Sequence, residues 1–532
     1  LNQNSPLFEP RMSALHSDTY QLTMLYGYWK QGRHEDPAVF DLFFRKAPFG
    51  RTFAVFGGLS EVLQYLAGFK FTEQEVEFCQ GILPDAEPGF FQFLRELDCS
   101  KLKVYAIAEG SLVFPRVPLI RVEGPLGIAQ YIETALLNLV NFPTLVATNA
   151  ARFRLAAGPN VSLSEFGLRR AQGPDGGLTA SKYAYLGGFD STSNMRAGQL
   201  YGIPVVGTHA HAFVQSFTGI EDLQTTRLAL PESSETVDFV GMVLAIREEL
   251  GFNNSNEGEL AAFIAYAQAF PTKFLALVDS YDTLASGVPN FMCVAEALAR
   301  LGYKPIGVRL DSGDLAYLSK QVRRMYGDLT NKYNTNTSDW QIVASNDITE
   351  SVLLEMNRKG HEVNTFGIGT HLVTCLDQPA LGAVYKLVRV NSIDRIKLSE
   401  DPGKITIPGR KWAYRLLDSN LVAITDVMLG DNEAEPQVGH PFYCRHPFDQ
   451  YKQMRVVPGM VLSLHLLVWD GEFSWRPYLG ACRERMSQQI SNMRDDMLRG
   501  LNPTPYKVSV SAYLFDKLHV LIAREKTVPV IR

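Results

Sequence analysis

The 532 residues, 46% apolar and 20% charged, provide material for a large core, enough for two or three domains. The 51 basic and 56 acidic side chains are mixed along the chain and leave a net charge of −5. This balance excludes the polyelectrolyte attraction used by nucleic-acid and anionic-lipid binders, and it points to a small partner.

Residues 460–469, the longest strongly apolar segment, are interrupted by His465 and fall short of the roughly 18 to 20 residues of a membrane-spanning helix. Cys79, Cys99, Cys293, Cys375, Cys444 and Cys482 stand apart without a CxxC spacing. That is the usage of reduced, buried thiols in a cytosolic protein rather than of a disulfide framework or a zinc site. The opening LNQNSPLFEP lacks the basic stretch followed by an apolar one that marks a secretory leader.

Residues 13–30, SALHSDTYQLTMLYGYWK, predict a helix. Ser17 or Asp18 can cap it, and Tyr20, Leu22, Met24, Leu25, Tyr28 and Trp29 form a broad apolar stripe, on which Tyr20 reads as a packing aromatic. From Ala38, AVFDLFFRKAPFGRTFAVFGG reads as a buried strand running into Arg45, Lys46 and a Pro/Gly turn with Arg51, three cations suited to phosphate. Residues 101–123 hold short β-type runs broken at Gly110, Pro115 and Pro118, the pattern of a small antiparallel sheet. Across 132–155 glycine disappears and the apolar residues take helical spacing, with Pro143 expected to kink or divide the helix. A first domain, 1–150, is placed up to this point.

Apolar runs then recur at 161–166, 203–206, 274–278, 305–310, 341–344 and 363–368, separated by helix-like segments. Their near-continuous apolarity predicts strands covered on both sides, and the alternation predicts an α/β barrel over 151–380. The first run gives way at Phe166 to Arg169, Arg170 and a Gly/Pro-rich turn, an edge that suits an anion. The others end in GTHAH, VDSYD, VRLDSGD, ASND and FGIGT. A barrel gathers the C-terminal ends of its strands at one mouth, so these segments would surround one site. Beyond Gly382 the texture returns to short strands, AVYKLVRV, RIKLSE, KITIP, KWAYRLL and LVAITDVML, an antiparallel meander that either completes the N-terminal sheet or forms its own layer. A helix is predicted over 477–499, completing a third segment, 381–532.

Asp279, Asp282, Asp311 and Asp314 offer carboxylates to a hard cation or to sugar hydroxyls, and magnesium needs only one or two of these beside substrate phosphates. Arg309, two residues before Asp311 on an extended strand, can pair with an anion. Gly367, Gly369 and Thr370, with Ser345 and Asn346, make a candidate phosphate cradle, although glycines after a strand are often simple turns. His209 and His211 lack a third nearby ligand for zinc, so the choice lies between structural imidazoles and His211 as nucleophile or acid/base group.

Several ordered motifs carry a resemblance: SDTYQLTMLYGYW, FFRKAPFGRTFAVFGGL, SEFGLRRAQGPDGG, GTHAHAF, LVDSYDTLASG, GVRLDSGDLAYLS, and FGIGTHLVT followed by PALGAVYKLV. From about residue 13 to about 425, and more loosely beyond, the chain resembles the nicotinate phosphoribosyltransferase family. The resemblance implies a type II phosphoribosyltransferase: an irregular α/β barrel with an N-terminal sandwich domain, working as a homodimer with sites at the subunit interface. The implied reaction is ATP-coupled joining of nicotinate to 5-phosphoribosyl 1-diphosphate, with Mg²⁺ or Mn²⁺.

By the same resemblance, His211 is the phosphorylated histidine, and Tyr20 of one subunit stacks on the pyridine opposite Phe166 of the other. Thr208 and Arg309 fall at nicotinate-contacting positions, Asp279 and Asp311 around the ribose, diphosphate and Mg²⁺, and Gly367, Gly369 and Thr370 at the 5′-phosphate; Arg169, on the anion-suited strand edge, is taken as a further substrate-binding residue. His209 departs from the family, where that position is usually apolar. The rival expectations are a nicotinamide-using enzyme and a catalytically inactive, ligand-sensing homologue.

Overall fold

The run Pro37–Phe44 is buried from Ala38 onward and needs partners along both edges, which come from opposite ends of the sequence. On one side it pairs antiparallel with Ala383–Val390, on the other with Ile120–Pro125. Lys103–Ile107 and His465–Asp470 extend the sheet beyond Ile120–Pro125, and Ile393–Asp394 ends its other side. The structure, a computed structural model, describes residues 12–526 apart from 400 and 476, so the opening segment read above lies outside the described residues.

The chain divides into two compact units, residues 1–149 with 377–532, and residues 150–376. The segment after 381 therefore shares a unit with the N-terminus. Besides its strands in the first sheet, it builds a second six-stranded sheet around the hairpin Lys411–Leu417 and Ala423–Gly430, with Lys507–Val510 parallel to the latter. Buried ion pairs hold this unit together. Lys411 meets Asp41 at 2.6 Å, and Arg415 grips Asp426 through two bonds of 2.8 and 2.9 Å while donating to the Leu112 carbonyl.

Several predicted elements differ. RIKLSE and KITIP form no strands among the described residues. Their polar groups are engaged elsewhere: the Lys411 ammonium takes the Ile407 and Gly409 carbonyls, and Thr406 Oγ1 accepts from the Lys397 amide. The first helix starts at Thr19, and the predicted helix over 477–499 is two, Leu479–Ser491 and Asp495–Leu498. Pro143 lies inside one continuous helix, Glu133–Ala157. A proline deprives the carbonyl four residues earlier, here Leu139, of its helical donor, and the left-handed Gly58 (φ 97°) packs against that carbonyl.

In residues 150–376 six parallel strands lie in the order Leu275–Leu277, Gly307–Leu310, Gln341–Ser345, Thr365–Ile368, Ser162–Glu165, Ser191–Thr192. A single bridge, Thr192 to Val205, adds the run 203–206 at the end. Leu163, Ala276, Leu277, Val308, Leu310, Ile342, Phe366 and Ile368 are buried. Each fully buried aliphatic or aromatic side chain contributes about 1.5–3 kcal/mol, which makes these strand centres the stable base of the mouth. The fold is an irregular α/β barrel. Its seam lies between 203–206 and Leu275–Leu277, where no backbone ladder is present among the described residues.

Candidate active site

Five of the six barrel strands deliver candidate site residues at their C-terminal ends. Leu275–Leu277 leads to Asp279, Gly307–Leu310 to Asp311, Gln341–Ser345 to Asn346, Thr365–Ile368 to Gly369 and Thr370, and Ser162–Glu165 to Phe166. Two adjoining cavities sit at these ends and share Phe166, Arg169, Arg309 and Asp311. One, of about 140 Å³, is lined by Arg170, Ser345, Asn346, Gly367, Gly369 and Thr370. The other, of about 340 Å³, is lined by Thr208, His209 and His211.

The smaller cavity gathers cationic side chains and glycine backbone. Arg309 donates from Nε to Ser345 Oγ at 2.8 Å and from Nη2 to Asp311 at 3.1 Å, so its guanidinium is fixed in the mouth. Its carbon lies 5.5 Å from the centroid of the Phe166 ring. That ring occupies the space a side chain at Gly367 would need, since a Cβ there would come within 2.4 Å of it. Asn346 (φ 132°) and Asp347 (φ 41°) are consecutive positive-φ residues, a costly conformation of the kind that gathers at ligand clamps. Asp347 closes the ASND segment expected at the mouth, but it was not singled out as a site residue, because its conformation leaves no trace in composition.

The larger cavity holds the titratable groups. His211 Nδ1 is 3.0 Å from Ser280 Oγ, and its Nε2 faces Asp279 Oδ1 and Asp311 Oδ2, each at 3.8 Å. Asp279 is 2% exposed; its Oδ2 accepts from the Asp311 amide and from Ser312 Oγ, while its Oδ1 is buried without a hydrogen-bond partner. Two carboxylate oxygens aimed at one spot, one of them unsatisfied, fit a magnesium ion that also takes phosphate oxygens. No cluster of three or more His, Cys, Asp or Glu donors suited to a metal occurs among the described residues.

His209 points the other way. Its ring packs among Phe213, Phe263 and Tyr266, burial pulls its pKa down to about 4, and Nε2 accepts the Leu277 N–H at 3.3 Å. A neutral imidazole thus joins the two sides of the barrel seam. Glu259 braces the turn after Asp279 by accepting from Ser286 Oγ and Asn290, and burial pushes its pKa up to about 7.

Glu165, also unpredicted, anchors the arginine loop. One oxygen accepts from the Gly167 amide, the other from Ser181 and Thr192. A carboxylate inside the apolar SLSEF run was the only signal. The Gly/Pro stretch after Arg170 is not a loose turn but the first turn of the helix Gly173–Leu186. Tyr20 is not brought to these cavities; it stands 49% exposed on Thr19–Lys30 in the other unit, where Arg51 is also buried.

A parallel α/β barrel whose strand ends combine an aromatic ring, arginines, paired aspartates and a glycine-opened anion cradle defines the type II phosphoribosyltransferase class. Family models described as the nicotinate phosphoribosyltransferase N-terminal domain, family and C-terminal domain match residues 15–141, 295–435 and 410–518. Nicotinate phosphoribosyltransferase 2 of Arabidopsis thaliana is 50% identical over 98% of this chain and 96% of its own length. The Homo sapiens nicotinate phosphoribosyltransferase is 46% identical over 95% of this chain and 96% of its own. The crystal structure of the human enzyme superimposes with a TM-score of 0.87 at 42% identity, covering 95% of this chain and 99% of that one. The nicotinate-nucleotide pyrophosphorylase of Pyrococcus furiosus, with a TM-score of 0.59 at 19% identity over 90% and 95% of the two chains, shares the fold. The chain belongs to the nicotinate phosphoribosyltransferase family.

Proposed function

We propose that the protein joins nicotinate to 5-phosphoribosyl 1-diphosphate, giving nicotinate mononucleotide and diphosphate, with ATP hydrolysis coupled through phosphorylation of His211. The observation that carries the reading is the Phe166–Arg309 pair, a ring face and a cation side by side. The ring stacks on a pyridine and the guanidinium pairs with its carboxylate, which a neutral amide would not satisfy.

The pyridine nitrogen attacks the anomeric carbon as the bond to diphosphate breaks, through an oxocarbenium-like state. Stacking on Phe166, completed by Tyr20 of a second subunit, aligns the nitrogen for attack. Arg169 and Arg170 stabilise charge on the departing diphosphate, while Thr208 lies beside the base with Arg309, and Gly367, Gly369, Thr370, Ser345 and Asn346 hold the 5′-phosphate. A Mg²⁺ or Mn²⁺ ion held by Asp279 and Asp311 supplies further positive charge to the phosphates when bound. His211 accepts the γ-phosphoryl group of ATP on a ring nitrogen as ADP leaves, and the phosphohistidine is later hydrolysed to phosphate. The working form is a homodimer with shared sites, and the free buried thiols suit the cytosol.

An assay for nicotinate mononucleotide with and without ATP tests this. Product from nicotinate, stimulated by ATP and at least a hundredfold below that rate with nicotinamide, is expected. Equal use of the amide, or no product, would overturn the reading.

A further inference from the structure

A cavity of about 690 Å³ in the unit formed by residues 1–149 and 377–532 shares no residue with the strand-end cavities. It is bounded by the turn at Pro115 and Arg116, by the hairpin Phe442–Arg445 and Gln453–Val456, and by Lys507–Val510. Its charge is one-sided: Arg116, Lys452, Lys507 and the imidazole of His446 line it, and no carboxylate does. Two carboxylates near it are already engaged. Asp449 meets Lys452 at 3.2 Å in a solvent-exposed pair, and Asp426, which accepts from Tyr506, is gripped by Arg415.

Arg116 marks the site most clearly. Its backbone is left-handed (φ 74°), a strained state for a residue with a side chain. Its guanidinium lies over the Phe448 ring at 4.4 Å, and Nη1 is buried without a hydrogen-bond partner. A guanidinium cannot shed its charge, so this buried donor calls for an anion. The rest of the wall mixes apolar residues, Cys444, Met454 and Val508 among them, with the polar Gln453 and Ser509, and Tyr451, 85% exposed, stands at the rim. An exposed tyrosine beside a cationic wall is the arrangement by which a planar base is stacked while its phosphate is paired.

We infer that this cavity is a second ligand site, for a nucleoside phosphate, with the phosphate against Arg116, Lys452 and Lys507 and the base against Tyr451 and the apolar wall. The site is separate from the catalytic mouth, so its occupation does not depend on the reaction proposed above.

Calorimetric titration of the full chain with AMP, adenosine and inorganic phosphate tests it. AMP should bind at least tenfold more tightly than either fragment, and one AMP-binding component should survive Arg309→Ala. The double variant Lys452→Glu/Lys507→Glu should weaken that component tenfold or more. Arg116→Gly, which suits the left-handed backbone, should do the same. Tyr451→Ala, at an exposed position that leaves folding intact, should lower affinity for AMP but not for phosphate. Loss of all AMP binding in Arg309→Ala, unchanged affinity in the lysine and tyrosine variants, or inorganic phosphate binding as tightly as AMP would each overturn the assignment.

Discussion

His209 and His211 are two residues apart and have opposite surroundings, one sealed among aromatic rings and the other facing two carboxylates. His211→Ala should abolish an acid-labile, base-stable phosphate on the protein together with ATP stimulation, while slow ATP-independent synthesis persists; radiolabelling from γ-labelled ATP reads this directly. His209→Leu should keep the label but leave the Leu277 N–H buried and unpaired, lowering stability by about 1–3 kcal/mol in thermal melts. Glu259 carries a pH signature. Its folded pKa of about 7 lies above the ordinary 4.5, so its stabilisation is full below pH 4.5 and is lost as pH rises through 7. Relative to Glu259→Gln, the native protein should lose on the order of 3 kcal/mol across that window, measured by urea unfolding at each pH. Arg309, Asp311, Ser345 and Asn346 were legible in the sequence because each ends an apolar run. The His209 contact was not, since a partner 68 residues away leaves no local pattern, and Glu165 showed only as a carboxylate inside an apolar run.

Among the elements, the long apolar runs were readable as strands because burial on both faces leaves a continuous signature. Ser191–Thr192, two residues of polar sequence, has none, yet it is the strand that reaches Val205. Proline divides nothing here: Pro143 lies inside one helix, and Gly58 packs against the Leu139 carbonyl that the proline frees. Gly58→Ala should therefore destabilise the protein by at least about 1–3 kcal/mol from backbone strain alone, with more from the added Cβ 2.0 Å from the Leu139 oxygen. A lowered urea midpoint with unchanged slope would register it. Gly367→Ala acts at the mouth instead. The new methyl would displace the Phe166 ring and should raise KM for nicotinate tenfold or more with little change in melting temperature.

At the scale of the whole molecule, the proposed sharing of sites between subunits makes a complementation test available. Tyr20→Ala and Arg309→Ala homodimers should each be poor enzymes, and mixing them under conditions of subunit exchange should restore activity through hybrid dimers carrying one intact site. No recovery despite demonstrated exchange would count against the shared site. This level was the least legible, because the sequence left open whether the segment after 381 completes the N-terminal sheet or forms its own layer, and its strands do both. The central strand Pro37–Phe44 takes one neighbour from Ile120–Pro125 and the other from Ala383–Val390. On a ribosome adding about 5–20 residues per second, that strand leaves the tunnel roughly 20–70 s before its second neighbour exists. Meanwhile residues 150–376, contiguous in sequence, can complete their barrel as an insertion within an unfinished host. The nascent chain therefore carries an apolar, half-paired strand edge through most of its synthesis, and its yield in a cell depends on what shields that edge until residue 390 arrives.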